Sequence, residues 1–286
     1  MTFDYAQWNG GSDEWAVASN WANGVGGPRV PLASDDARFP NGPGNCILAG
    51  ASHCRGIDFH SDGPPNWAAT FTDYGNTLTT HGSAQPGVIL RLSASATYVL
   101  TGSIVVTDDQ DFEDDCDIHL NGKALNHLTF ALSAAPGIGK NTAIRFVGAA
   151  VINGNLTISI ATGARTLDFT TFGDGTLAVG NDLTIAAASA LNQSLAGVAV
   201  TVGGDFLSGA AADALDLDTP GTFAVTGTAV AHSQIIRNCD FSGGTTLDAT
   251  DACTDGGGNL NVDFGVITET GPASTIAIAI TWGLRP

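Results

Sequence analysis

Three places in the chain hold carboxylates close enough in sequence to suggest acid–base chemistry: Asp108 with Asp109, the acidic run Asp111 to Asp117, and Asp216 with Asp218. Cleavage of a glycosidic bond needs two carboxyl groups facing each other across the substrate. Adjacent residues on a strand point to opposite faces, so sequence neighbours such as Asp108 and Asp109 do not form such a pair. The segment 108–117 is dense enough to attract calcium weakly, but it lacks the ligand spacing and bidentate Glu of a dedicated loop and reads as a solvated acidic loop. Gly137-Ile-Gly139-Lys140-Asn-Thr142 has the look of a phosphate loop. Its first Gly would fall at Ala134, however, and Asn141 stands where Ser or Thr is required. The six histidines, at 53, 60, 81, 119, 127 and 232, show no H-x-x-x-H spacing, and no Ser-centred nucleophile elbow is present. The expectation is a chain with no catalytic, cofactor-binding or metal-ligating residues, and so not an enzyme.

The five cysteines, at 46, 54, 116, 239 and 253, lack zinc-ligand spacing. The opening MTFDYAQWNG carries no basic and apolar leader, which together with the odd count predicts reduced, buried thiols made in a cytoplasm. Cys46 with Cys54, and Cys239 with Cys253, are local pairs that could oxidise if geometry allows. The formal net charge of −18 argues against a nucleic-acid backbone or an anionic membrane as partner. The apolar stretch from Thr275 to Leu284 is too short to span a membrane.

The elements that carry these residues read as strands. Lys occurs only at 123 and 140, and Glu only at 14, 113 and 269, so the usual material of solvent-facing helices is missing. The 37 glycines and abundant Thr instead suit many short strands joined by tight turns. A strand–turn–strand unit recurs, anchored at Leu100, Leu120, Ile152, Val179, Val202 and Val225. Repeats of this length cannot bury an apolar face alone and must stack. The fold expected is all-β, a right-handed parallel β-helix, with Gly and Asn supplying positive φ at its corners. A β-sandwich or jelly roll is the alternative. Residues 1–85 read as an irregular Trp-rich N-terminal cap, 86–265 as the solenoid, and 266–286 as a C-terminal strand. Trp8, Trp15 and Trp21 are suited to seal the solenoid end, and Asp35 and Asp36 to tie turns through side-chain to backbone bonds.

The N-terminal series Trp8-Asn-Gly-Gly, Trp15…Asn20-Trp21, Val30-Pro31, Asp35-Asp36…Phe39 and Cys54-Arg55-Gly56-Ile57-Asp58-Phe59 resembles the opening of a family of β-helical bacteriophage structural proteins. Asp248 to Phe264 resembles the closing segment of the same family. The resemblance covers both ends and, more loosely, the coils between. It implies a virion protein, made in the host cytoplasm, that decorates the capsid surface or forms part of a fibre or spike. Its partners would be further copies of itself and major capsid or tail proteins. The competing function is a tail spike that binds or depolymerises host surface glycan. Trp67, after Gly63-Pro-Pro-Asn66, is the residue placed for glycan stacking. In the tail, Ile276, Ile278, Ile280 and Trp282 alternate with small or polar residues, the pattern of a strand with one apolar face, and are expected to form an intermolecular interface.

Overall fold

The computed structural model describes residues 5–10, 13–23, 28–40, 44–59, 67–82, 87–107, 116–132, 143–160, 166–168, 175–187, 195–210 and 214–265. Helix among them is confined to one 3-10 turn, Ala18–Asn20. The chain is a β-solenoid whose strands stack in parallel, coil on coil. Sheet I holds Tyr5–Trp8, Trp21–Asn23, Asp36–Arg38, Ile57–Asp58, Val88–Arg91, Cys116–His119, Ala143–Val147 and Thr166–Asp168. Sheet II holds Cys46–Ile47, Thr70–Thr72 and Thr97–Val99. Sheet III runs the length of the molecule as ten strands: Ser52–Cys54, Thr77–Thr80, Ser103–Val106, His127–Leu132, Leu156–Ile160, Leu183–Ile185, Phe206–Ser208, Ala229–His232, Leu247–Asp251 and Val262–Asp263. Sheet IV holds Ala150–Ile152, Thr176–Val179, Ala199–Val202, Asp216–Val225, Ile235–Asp240 and Thr254–Gly257. Every pairing between these strands is parallel except Tyr5–Trp8 with Trp21–Asn23, which excludes a face-packed antiparallel sandwich.

The alternation of side chains along each strand builds the core as ladders. In sheet III, Leu78, Ile104, Leu128, Leu156, Leu183, Phe206 and Ala229 lie in register, all buried. Two positions on, Cys54, Thr80, Val106, Phe130, Ile158, Ile185, Ser208 and Ala231 form a second buried ladder. In sheet IV, Ile152, Val179, Val202 and Val225 stack, as the repeat reading required. Leu125, rather than Leu120, bridges to Ile152. The misplaced anchor has a physical cause: Asn121 and Gly122 take left-handed φ values of 50° and 75° in a turn that imitates a coil corner. Ile185→Val should cost about 1 kcal/mol, since one buried methylene is lost, while Leu207→Ala on the outward side should change stability by less than about 0.5 kcal/mol. Chemical denaturation of the two variants checks the pair.

Glycine serves the corners in two ways: Gly148, Gly175 and Gly197 carry the left-handed φ expected there, whereas others answer to proximity. A Cβ on Gly180 would lie 2.1 Å from the Asn153 carbonyl oxygen, and one on Gly203 would lie 2.1 Å from that of Gly180. Neither residue has a positive φ. Backbone of one coil rests against backbone of the next, and only a hydrogen fits between. Side chains then stitch adjacent coils. Asp73 accepts from the backbone N–H groups of Thr101 and Gly102, and the Asn126 amide donates to the Thr101 carbonyl.

Parallel stacking is in place well before residue 86, since strands 36–38, 46–47 and 52–54 already pair in parallel with the strands of the next coil. Trp8, Trp15 and Trp21 are buried around Phe39 at this end, with centroid distances of 5.1 Å for Trp8–Trp21 and 4.8 Å for Trp15–Trp21. They close the N-terminal end of the core. At the other end the coils shorten: Ala229 follows Phe206, Asp248 follows Val230, and Val262 follows Leu247 in register.

Candidate functional site

Each face of the solenoid carries its own outward chemistry. On sheet I, Arg38, Asp58, Arg91 and His119 occupy one in-register column of alternating charge. Arg91 reaches Asp58 at 3.4 Å, and Arg145 pairs with Asp117 at 2.8 Å one column over. Burial, with the Arg91 guanidinium next in weight, lowers the His119 pKa below the usual histidine range. This ring is therefore a neutral member of a charged ladder. Beneath the ladder, Asp36 accepts from both Nε (2.8 Å) and Nη2 of Arg55, with both residues buried. Arg38 Nη2 donates to the second oxygen of Asp36 at 3.0 Å. The neighbouring Asp35 ties its turn by accepting from the Leu32 N–H at 2.9 Å, as expected, and holds Arg29 at 2.6 Å.

On sheet III the outward column runs Thr79, Val105, Thr129, Thr157, Thr184, Leu207 and Val230. At the corner before it, side chains cap the next coil in series. The backbone N–H of Asn155 donates to His127 Nδ1 (2.9 Å), that of Asp205 to Asp182 (2.9 Å), and that of Thr228 to Asp205 (2.7 Å). Asp182 and Asp205 thus sit one coil apart, about 4.8 Å along the stack. Bonds from Thr228 hold the exposed Asp205 below the usual carboxylate range, so it stays ionised. A carboxylate committed to capping and ionised at neutral pH is no proton donor. Sheet IV presents an open trough of about 430 Å³ over the small outward side chains Val151, Ala178, Thr201 and Ala224.

The sequence candidates fall out as follows. Asp108, Asp109, the run from 111 to 115, the Gly137–Lys140 segment and the interface residues Ile276, Ile278, Ile280 and Trp282 lie outside the described residues. Asp117 is paired with Arg145, and Asp216 lies 3.1 Å from Arg237 Nη1. Trp67 is corrected: its side chain is fully buried, with centroids 5.2 Å from both Phe39 and Phe59, so no face is left for a sugar ring. The Gly-Pro-Pro-Asn segment suggested a surface loop, but the tryptophan after it turns into the aromatic plug. Sequence reasoning missed the Asp36–Arg55 pair and the contact of His53 Nδ1 with His81 Nε2 at 2.9 Å. Both join coils whose register a single sequence does not display. Among the described residues no group of three or more His, Cys, Asp or Glu could hold a metal ion, and no helix is long and apolar enough to cross a membrane.

Cys46, Cys54, Cys239 and Cys253 are free thiols. Burial raises the pKa of all four, that of Cys239 to about 12. Cys253 is the half-exposed member. A thiol reagent at pH 8 should therefore reach Cys253 first among these four, with the other three protected until unfolding. Labelling followed by peptide mass spectrometry checks the order. No family model, curated protein or solved structure matches the chain.

Proposed function

We propose that this chain is a structural protein of a bacteriophage particle, a stiff unit that decorates the capsid surface or forms part of a fibre or spike. The observation that carries the reading is the uninterrupted stack: ten parallel strands in one sheet, with buried ladders running along it. Nearest-neighbour stacking of this kind gives a rigid body whose contacts are distributed along its whole length. Asp182 and Asp205 serve as coil caps, Asp58, Asp117 and Asp216 are ion-pair partners, and the buried Trp67 leaves the glycan-binding alternative without its aromatic contact. The fold by itself serves enzymes as well as scaffolds. The virus assignment is supported by the ordered Trp, Asn-Trp, Val-Pro and Asp-Asp motifs and their likeness to β-helical phage proteins.

Quantitative mass spectrometry of purified particles tests this. The chain is expected at a fixed ratio to the major capsid or tail protein across preparations. Its absence from washed particles, or clearance of host capsular polysaccharide by the purified chain, would overturn the proposal.

A further inference from the structure

The two ends of sheet III are finished differently. At the C-terminal end the last strand, Val262–Asp263, is two residues long, and Thr254–Gly257 beside it in sheet IV is fully exposed and rich in Asp and Gly. Polar side chains close this end. The Asn259 amide donates to the Ile236 carbonyl at 2.8 Å, and the Asn261 amide to the Phe241 carbonyl at 3.0 Å. The N–H groups of Gly257 and Gly265 turn back onto Asp255 and Asp263. Short, charged, bonded edges of this kind resist addition of a further strand.

The N-terminal end of sheet III is finished more sparingly: Arg55, just past its edge strand, donates its backbone N–H to the Asp35 carbonyl at 2.8 Å, and no described strand pairs outside that edge. Its edge strand is Ser52–Cys54. Beside that edge runs a groove of about 370 Å³ lined by Trp15, Val30, Leu32, Ala33, Ala51 and His53, together with three further small residues. Leu32 is 54% exposed there. An open backbone edge next to an apolar groove is the arrangement that accepts a strand, with backbone bonds giving affinity and alternate side chains filling the groove.

The chain supplies a segment of matching chemistry. Residues 275–282 read Thr-Ile-Ala-Ile-Ala-Ile-Thr-Trp, with Ile276, Ile278, Ile280 and Trp282 on one face and no charge. The segment cannot reach the groove of its own molecule. A strand added outside Ser52–Cys54 would lie ten steps from Val262–Asp263, about 48 Å along the axis. The eleven-residue path from Gly265 to Ile276 spans at most about 40 Å when fully extended. The donor must be another molecule.

We propose that the tail strand of one copy docks on the Ser52–Cys54 edge and the groove beside it in the next copy. The contact is heterologous, so repetition produces open head-to-tail chains, or rings if the rotation closes. This inference goes beyond the assignment to a virion and stands or falls independently of it.

Complementation between two full-length variants tests the proposal. Leu32→Asp spoils the groove at an exposed position and leaves the tail intact. Ile278→Asp spoils the tail and leaves the groove intact. In sedimentation velocity the unmodified chain should show a mass that rises with concentration, and each variant alone should sediment as a monomer. Mixed at equal concentration, the two should form a species of twice the monomer mass and nothing larger, because each pair has one working groove and one working tail. Circular dichroism of each variant separates loss of assembly from loss of fold. A monomeric unmodified chain at about 100 μM, a Leu32→Asp variant that assembles like the unmodified chain, or a folded mixture that stays monomeric would each overturn the proposal.

Discussion

Gly203→Ala should destabilise the protein by roughly 3–5 kcal/mol, far more than a one-carbon change at a surface turn. The added Cβ would lie 2.1 Å from the carbonyl oxygen of Gly180 and 3.0 Å from its carbonyl carbon. Both are backbone atoms of the coil beneath, so no rotamer change relieves the overlap. Gly180 is itself held against Asn153, and its N–H donates to the Ile152 carbonyl at 2.7 Å, so the strain passes down the stack. Separating the coils would lengthen the bonds from Gly203 to Val179 and from Gly204 to Asn181, now 2.8 and 2.9 Å. Gly50 is the control, because a Cβ there meets nothing within 4 Å and its φ is not left-handed. Gly50→Ala should leave the denaturation midpoint unchanged or raise it slightly. Equal effects of the two substitutions would contradict the close-approach account of the corners.

Asp36→Ala should cost about 3–5 kcal/mol for an electrostatic reason. Arg55 is only 2% exposed, and its Nε and Nη2 both donate to the carboxylate that the substitution removes. The guanidinium keeps its charge when buried, since it does not deprotonate. It would lose the carboxylate that its Nε and Nη2 both hold inside the N-terminal coils, and Arg38 would lose its bond to the same group. Arg55→Met on its own should cost less, because it leaves Asp36 in contact with the half-exposed Arg38. The double variant Asp36→Ala/Arg55→Met should recover much of the loss, since removing both charges removes the burial penalty of each. A double-mutant cycle from urea denaturation reads this directly. Additive losses in the double variant would mean that packing around Arg55, rather than charge, holds this end together.

The fold was legible because its signals are local. Scarce Lys and Glu, plentiful Thr and Gly, and the spacing of Ile152, Val179, Val202 and Val225 all point to short stacked strands, and those four residues do stack. What a single sequence hides is coil length, because turns inside a coil and at its corners use the same residues. Asn121-Gly122 therefore drew the anchor to Leu120 in place of Leu125. Contacts between coils are hidden for the same reason. Asp36 and Arg55 are 19 residues apart, and nothing local to either shows that they meet. Trp67 illustrates the converse: its neighbours suggest a loop, whereas its environment is set by Phe39 and Phe59 from earlier coils. The corner carboxylates Asp182 and Asp205 were not singled out from sequence, although the Gly-x-Asp-Leu and Gly-Asp-Phe contexts around them recur at the coil spacing.

Cryo-electron microscopy of the phage particle proposed to carry this chain is the most direct test of its proposed assignment as a virion structural protein. The account predicts repeated rod-shaped density on the capsid lattice or along a fibre, with a sheet about ten strands deep at roughly 4.8 Å per coil. The Trp-plugged and Asn-capped ends should be distinguishable within each rod. A well-resolved particle in which every component is assigned and no density accommodates this solenoid would contradict the account.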